Sequence, residues 1–166
     1  MDTNRRLVNY SLIALAGTGM YFSIGAMFKS LEPPKKARLD AATFIDVESL
    51  PLNEISLFTW QKKPLFVLKK DSSLTLDTKR DVLIGAYYYT LMVGTCTHLG
   101  CVPKYEALSK TFICPCHNGQ FDYNGNPLKG PITKPLVIPP FKVQRQTIIV
   151  GEVGESYLEL MEKAKA

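Results

Sequence analysis

Four cysteines and two histidines, every Cys and His in this 166-residue chain, fall between positions 96 and 117. They read Cys96-Thr97-His98-Leu99-Gly100-Cys101 and, after twelve intervening residues, Cys114-Pro115-Cys116-His117. Cys96-x-His98 and Cys114-x-x-His117 make two matched pairs, each with one thiol and one imidazole. A thiolate brings a negative charge and an imidazole is neutral, so two of each offer four ligands. Zinc accepts that set in tetrahedral geometry. Two sulfide-bridged irons accept it differently, with both thiolates on one iron and both imidazoles on the other. The zinc reading leaves Cys101 and Cys116, one in each loop, without a part to play.

The elements around these loops must hold them face to face. Ala86 to Val93 is an apolar, aromatic run that reads as a buried strand delivering the chain into the first loop. Tyr105 to Leu108 and Thr111 to Ile113 can pair as a hairpin returning to the second. Tyr123-Asn124-Gly125-Asn126 carries the Asn-Gly signal of a tight hairpin turn. Upstream, Phe44–Val47, Ile55–Phe58 and Leu65–Leu68 are short β-rich runs bounded by Pro, Asn and Lys, hence strands. Lys63-Pro64 is expected as the turn between the last two. Ser72 to Leu83 is open between a loop and a short helix. Phe141–Val143 and Ile148–Val150 should close the fold as a hairpin. Gly154 to Lys165 reads as a terminal helix with Tyr157, Leu158, Leu160 and Met161 partly on one face. Tyr87, Tyr88, Tyr89 and the single Trp60 read as core or interface residues.

Residues 7–28 hold no charge across 22 positions. As a helix that run is about 33 Å long, enough for a bilayer core of about 30 Å. Asn9, Ser11, Thr18, Ser23 and three glycines dilute it, and Gly17, Gly19 and Gly25 allow a neighbouring helix to approach closely. The reading is an uncleaved anchor, because no small-residue cleavage site follows and Lys29 to Arg38 is charged and proline-bearing. Basic residues flank both ends, so loop charge does not fix orientation. Arg5-Arg6 resembles a twin-arginine export signal, which suits a head that receives a cofactor before crossing. Ser30 to Ala42, with Pro33-Pro34, has the composition of a stiff, extended linker. The net charge of +5 owes much to these membrane flanks. No basic-aromatic array points to nucleic acid as a partner.

The two loops resemble the paired cluster-binding boxes of the Rieske iron–sulfur proteins. The likeness extends to Trp60-x-x-Lys63-Pro64-Leu65-Phe66-Val67 upstream and to Lys129-Gly130-Pro131 downstream. With its single N-terminal membrane helix, the layout is similar to that of the Rieske subunit of cytochrome bc complexes over nearly the whole chain. The resemblance implies an all-β fold, a Rieske-type antiparallel β head with a cluster-binding tip, on one transmembrane helix. The expected division is 1–29 for tail and anchor, 30–42 for a hinge linker, and 43–166 for the head, with the cluster-binding subdomain at about 94–135. One 2Fe-2S cluster is implied, with Cys96 and Cys114 on the inner iron and His98 and His117 on the outer, exposed iron. Cys101 and Cys116 would form a disulfide. His117 and His98 would be the catalytic pair, His117 touching quinol directly. Leu99, Gly100, Gly130 and Pro131 would shield the cluster and shape the docking surface.

The resemblance further implies an electron-transfer subunit of a quinol:cytochrome c oxidoreductase. Its expected partners are cytochrome b, a cytochrome c1-type haem protein, quinol and membrane lipid, in a dimeric complex. The expected location is a bacterial cytoplasmic membrane, single-pass, with the head on the periplasmic side, where a disulfide persists. A small Rieske subunit of an exported oxidase, such as arsenite oxidase, is the alternative, and a structural zinc domain the non-redox one. The chain also departs from the pattern. Many relatives have Gly-Ser-x-Tyr after the second-box histidine, with both hydroxyls donating to sulfur; here the run is Asn118-Gly119-Gln120-Phe121. Thr133 stands where a proline is frequent in the neighbouring loop. Losing two donors lowers the expected potential, which points to a low-potential naphthoquinol such as menaquinol as electron donor.

Overall fold

The computed structural model describes residues 2–31 and 42–165. The expected linker, residues 30–42, falls largely outside them. The chain divides into two units, Met1–Leu39 and Asp40–Ala166.

The first unit is helix α1, Asp2–Ser30, 29 residues long and apolar enough to cross a membrane. Its hydroxyls turn back on their own helix. Ser11, Thr18 and Ser23 donate to the carbonyls of Leu7, Ala14 and Gly19 at 2.8, 3.0 and 2.8 Å. These three hydroxyls are therefore satisfied within the helix, as lipid requires of a polar group.

The second unit is a β head closed by one helix. Its strands are β1 (Thr43–Asp46), β2 (Ile55–Trp60), β3 (Lys63–Lys70), β4 (Asp81–Ile84), β5 (Tyr87–Val93), β6 (Lys104–Glu106), β7 (Thr111–Ile113), β8 (Gln120–Asp122), β9 (Pro127–Lys129), β10 (Phe141–Gln144) and β11 (Thr147–Val150). Helix α2, Glu155–Lys165, follows them. All named strand pairs are antiparallel, in three sheets ordered β1-β11-β10, β2-β3-β5-β4 and β6-β7-β8-β9. The expected all-β head, closing hairpin and terminal helix are all present.

Alternation along β3 and β5 explains why both read as continuous apolar runs. Side chains of a strand point to opposite faces in turn. Leu65 and Val67 of β3 and Leu91 of β5 enter one core with Ile45, Phe141, Ile148 and Leu160. Phe66 and Met92 enter a second, with Phe112, Phe121, Ile132 and Leu136. The two strands lie between two cores, so neither presents a polar face along its middle. Cys96 and Cys114 belong to the second core. Half-buried Trp60 packs against the first.

One turn falls elsewhere than expected. Lys63-Pro64 does not form the β2–β3 turn; Pro64 lies inside β3, opposite Thr59. The turn is Gln61-Lys62, with φ of 49° and 62°. Two successive left-handed residues match the twist of a two-residue hairpin, which normally selects Asn-Gly. The Asn124-Gly125 signal does mark a hairpin, but its loop runs from Asp122 to Asn126. Asp122 Oδ1 accepts from the amides of Asn124 and Asn126, both at 2.8 Å, and holds the wider form. Ser72 to Leu83 resolves into turns followed by β4.

Candidate metal centre

Strand β5 runs into the first box and β7 into the second, and the two boxes are built alike. The amide of Cys96 donates to Cys101 O at 2.7 Å, and the amide of Cys114 to Gly119 O at 2.8 Å. In both, the thiol residue closes a loop onto the carbonyl five residues on. In both, the residue four on is left-handed: Gly100 at φ 82° and Asn118 at φ 53°. That kink returns each chain toward its own start. It also pushes the histidine, two residues past the cysteine in one box and three in the other, outward.

The result is a split by burial. The thiols of Cys96 and Cys114 are free, and the two residues are 3 % and 2 % exposed. His98 and His117 are exposed, their ring centroids 4.8 Å apart and their planes at 86°. Burial pushes the Cys96 thiol up, while hydrogen bonds from the His98 and Leu99 amides oppose it. A buried thiol held up in this way needs a compensating positive partner to become a thiolate, and a metal ion is one. Cys101 and Cys116 are bonded to each other, with Cα atoms 6.6 Å apart, and tie the two boxes together. The sulfurs of Cys101, Cys114 and Cys116 also cluster within 4.8 Å. Two of those three are spent in the disulfide, so that cluster is no ligand cage. The free donors are two buried thiols and two exposed imidazoles, which fit a centre with one inner sulfur-held iron and one outer nitrogen-held iron.

A third segment, 129–135, packs beside the boxes. A Cβ on Gly130, at φ +96°, would lie 2.8 Å from Gly119 Cα. Thr97 Oγ1 donates to Lys134 O at 2.7 Å. Leu99, 69 % exposed, stands free at the tip, and Gly100 and Pro131 are exposed with it. The structure thus brings all ten expected site residues, 96, 98–101, 114, 116, 117, 130 and 131, to one end of the head. Gly119, by its contact with Gly130, turns out to be part of the packing there.

Beneath the tip lies a buried polar network that the sequence reading missed. Lys70 is fully buried; its Nζ donates to Asp81 Oδ2 at 2.5 Å and to Asn124 Oδ1 at 2.8 Å. Thr90 Oγ1 donates to Asp81 Oδ1 at 2.6 Å. Arg80 donates from Nε to Asn124 O at 2.5 Å and from Nη2 to Leu136 O at 2.7 Å. Burial holds the Lys70 ammonium below its usual value, with Asp81 pulling the other way. The network joins β3 and β4 to the β8–β9 hairpin and to the segment after Pro131, so it fixes the tip on the rest of the head. Lys70 lies two residues beyond Leu68 in β3, and that spacing was its signal.

The Rieske [2Fe-2S] domain family matches residues 44–144. The ubiquinol-cytochrome c reductase iron-sulfur subunit of Rickettsia typhi is 27 % identical over 154 residues, covering 84 % of this chain and 87 % of that one. The mitochondrial Rieske subunit of the cytochrome b-c1 complex of Schizosaccharomyces pombe is 26 % identical, covering 88 % of this chain and 72 % of its own. Among solved structures, a chain of a hyperthermophilic respiratory Complex III is 33 % identical with a TM-score of 0.53, covering 82 % of this chain and 97 % of that one.

Proposed function

The chain belongs to the Rieske 2Fe-2S domain family, and on that premise we propose that it is the membrane-anchored electron-transfer subunit of a quinol:cytochrome c oxidoreductase. The observation that carries this is the split at the tip, with two free thiols buried and two imidazoles exposed on boxes clasped by Cys101–Cys116. Cys96 and Cys114 would hold the inner iron, and His98 and His117 the outer one. When bound, the cluster supplies a reversible one-electron acceptor, at higher potential than a four-cysteine cluster because two neutral imidazoles replace two thiolates.

The residues around it do the rest. Each exposed imidazole has two ring nitrogens; one can ligate while the other holds a proton in reach of solvent or quinol. His117 is the direct quinol contact in this reading, with His98 beside it. Leu99 and Pro131 exclude water from the thiols behind them, and Gly100 and Gly130 let the backbone turn close to the site. Cytochrome b and a cytochrome c1-type haem protein are the partners, in a dimeric complex of a bacterial cytoplasmic membrane with the head on its outer side. Residues 30–42 serve as the hinge that lets one tip meet both quinol and haem protein.

Gly119 and Phe121 bear no hydroxyl to donate to sulfur. Such donors stabilise the more negative, reduced state. Two missing bonds of about 1–1.5 kcal/mol each lower a one-electron potential by roughly 90–130 mV. The donor is therefore a naphthoquinol such as menaquinol.

Iron and acid-labile sulfide analysis of the purified full chain, with a redox titration of its paramagnetic signal, tests this. The expected content is about two of each per chain and a midpoint in the lower half of the Rieske range. A single zinc, or no reversible one-electron signal, would end the proposal; a midpoint at the top of the range would remove the naphthoquinol alone.

A further inference from the structure

We propose that the electron acceptor meets this tip with a protein face that is acidic around an apolar centre. The proposal deepens the electron-transfer reading and rests on it. Three segments build the tip, 94–104, 114–119 and 129–135. Between them they contain Lys104, Lys129 and Lys134 and not one Asp or Glu. All three lysines are exposed, and none joins an ion pair among the described residues. The contacts place them on the site-bearing end. Lys129 pairs with Gln120 and precedes the Gly130 that packs on Gly119. The backbone carbonyl of Lys134 accepts from Thr97 Oγ1 of the first box. Lys104 follows Cys101 by three residues at the start of β6.

Other parts of the head carry both signs. Helix α2 carries Glu155, Glu159 and Glu162 with Lys163 and Lys165, and Lys142 lies 3.9 Å from Glu152. The tip carries one sign of charge only. Exposed Leu99, Val102, Leu128 and Pro131 supply apolar surface among the lysines. A partner must cover that surface while leaving the ammonium groups hydrated or paired, which an apolar patch rimmed by carboxylates does. Charges at such a rim mainly raise the association rate.

An anionic membrane is the other surface three lysines could meet. Lipid-binding clusters carry about 4–8 basic residues, more than are present. Interfacial anchors are also rich in Trp and Tyr, and none of the three segments has one. A protein face is favoured on both counts.

The test uses the cluster-loaded full chain in detergent, reduced and mixed with either of two oxidants, a basic c-type cytochrome or the same cytochrome succinylated on its lysines. The haem is shared and the surface charge is inverted. At low salt the succinylated form should oxidise the chain about tenfold faster. The advantage should vanish near 1 M salt, where the screening length is about 3 Å. The triple variant Lys104→Glu, Lys129→Glu, Lys134→Glu should reverse the preference. Because the readout is a ratio of two rates, a shift in the chain's own potential cancels. Equal rates, or faster oxidation by the basic form, with an intact signal would overturn the proposal. So would slowing by phosphatidylglycerol vesicles that depends on the lysines without any preference between the cytochromes, since that assigns them to headgroups. Absence of a reversible signal would remove the underlying reading and this proposal with it.

Discussion

Gly130 rests directly on Gly119, so that one added carbon on Gly130 would sit 2.8 Å from Gly119 Cα. The contact joins the third segment of the tip to the second box, at the residue where the carbonyl-closed loop ends. Gly130→Ala meets both that clash and a left-handed backbone, φ +96°. Strain of roughly 1–3 kcal/mol is expected from the backbone alone. The variant should show a lower thermal midpoint and less paramagnetic signal per chain. Wild-type values for both would mean that the segment moves freely away from the box.

Restoring hydroxyls should raise the potential. Gly119→Ser and Phe121→Tyr are each expected to add about 45–65 mV, one hydrogen bond's worth. A side chain at Gly119 comes 3.2 Å from Ile132 Cγ2, so Ile132 must give by a few tenths of an ångström. Phe121 is wholly buried in the second core, and a tyrosine there must aim its hydroxyl at an acceptor. Redox titration checks both; an unchanged midpoint with full signal would detach the proposed low potential from these positions.

The paired thiols and imidazoles of the tip, and the strands that carry them, were legible because each rests on a local pattern. Cys96-x-His98 and Cys114-x-x-His117 announce themselves by residue type, and Ala86–Val93 by an unbroken apolar run. The β2–β3 turn was misplaced because proline is a turn signal, whereas Gln61 and Lys62 carry none and are forced left-handed by the pairing of Trp60 with Lys63. The Lys70 network was missed for a different reason. Asn124 lies 54 residues from Lys70, and no local pattern relates them. Only the inward register of Lys70 after Leu68 hinted that a buried cation needed a partner. The Gly119–Gly130 contact is equally non-local.

Removing that buried cation should be costly. Lys70→Met leaves Asp81 charged, buried and without its ammonium partner, at a cost of about 3–5 kcal/mol. The denaturation midpoint of the head reports it. The pH dependence adds a second readout. Burial holds Lys70 below 10.5 in the folded chain. Between its folded value and 10.5 the unfolded chain binds more protons, so stability rises with pH across that window. The methionine variant should lose this slope, and a variant that keeps it would place the slope on another group.

The proposed hinge predicts a separation of turnover from cofactor content. Lengthening residues 30–42 by several residues, or stiffening them with further proline, should slow quinol oxidation by the assembled complex. The paramagnetic signal of the cluster should stay at its wild-type intensity. Turnover equal to wild type across such a series would leave the segment as a passive spacer.

With Ser11, Thr18 and Ser23 bonded back to their own helix, α1 does not present these three hydroxyls to a companion in lipid. What it offers instead is contour: open notches at Gly17, Gly19 and Gly25 into which a complementary ridge can settle. Recognition by relief depends on where the glycines fall along the helix more than on which apolar side chains surround them.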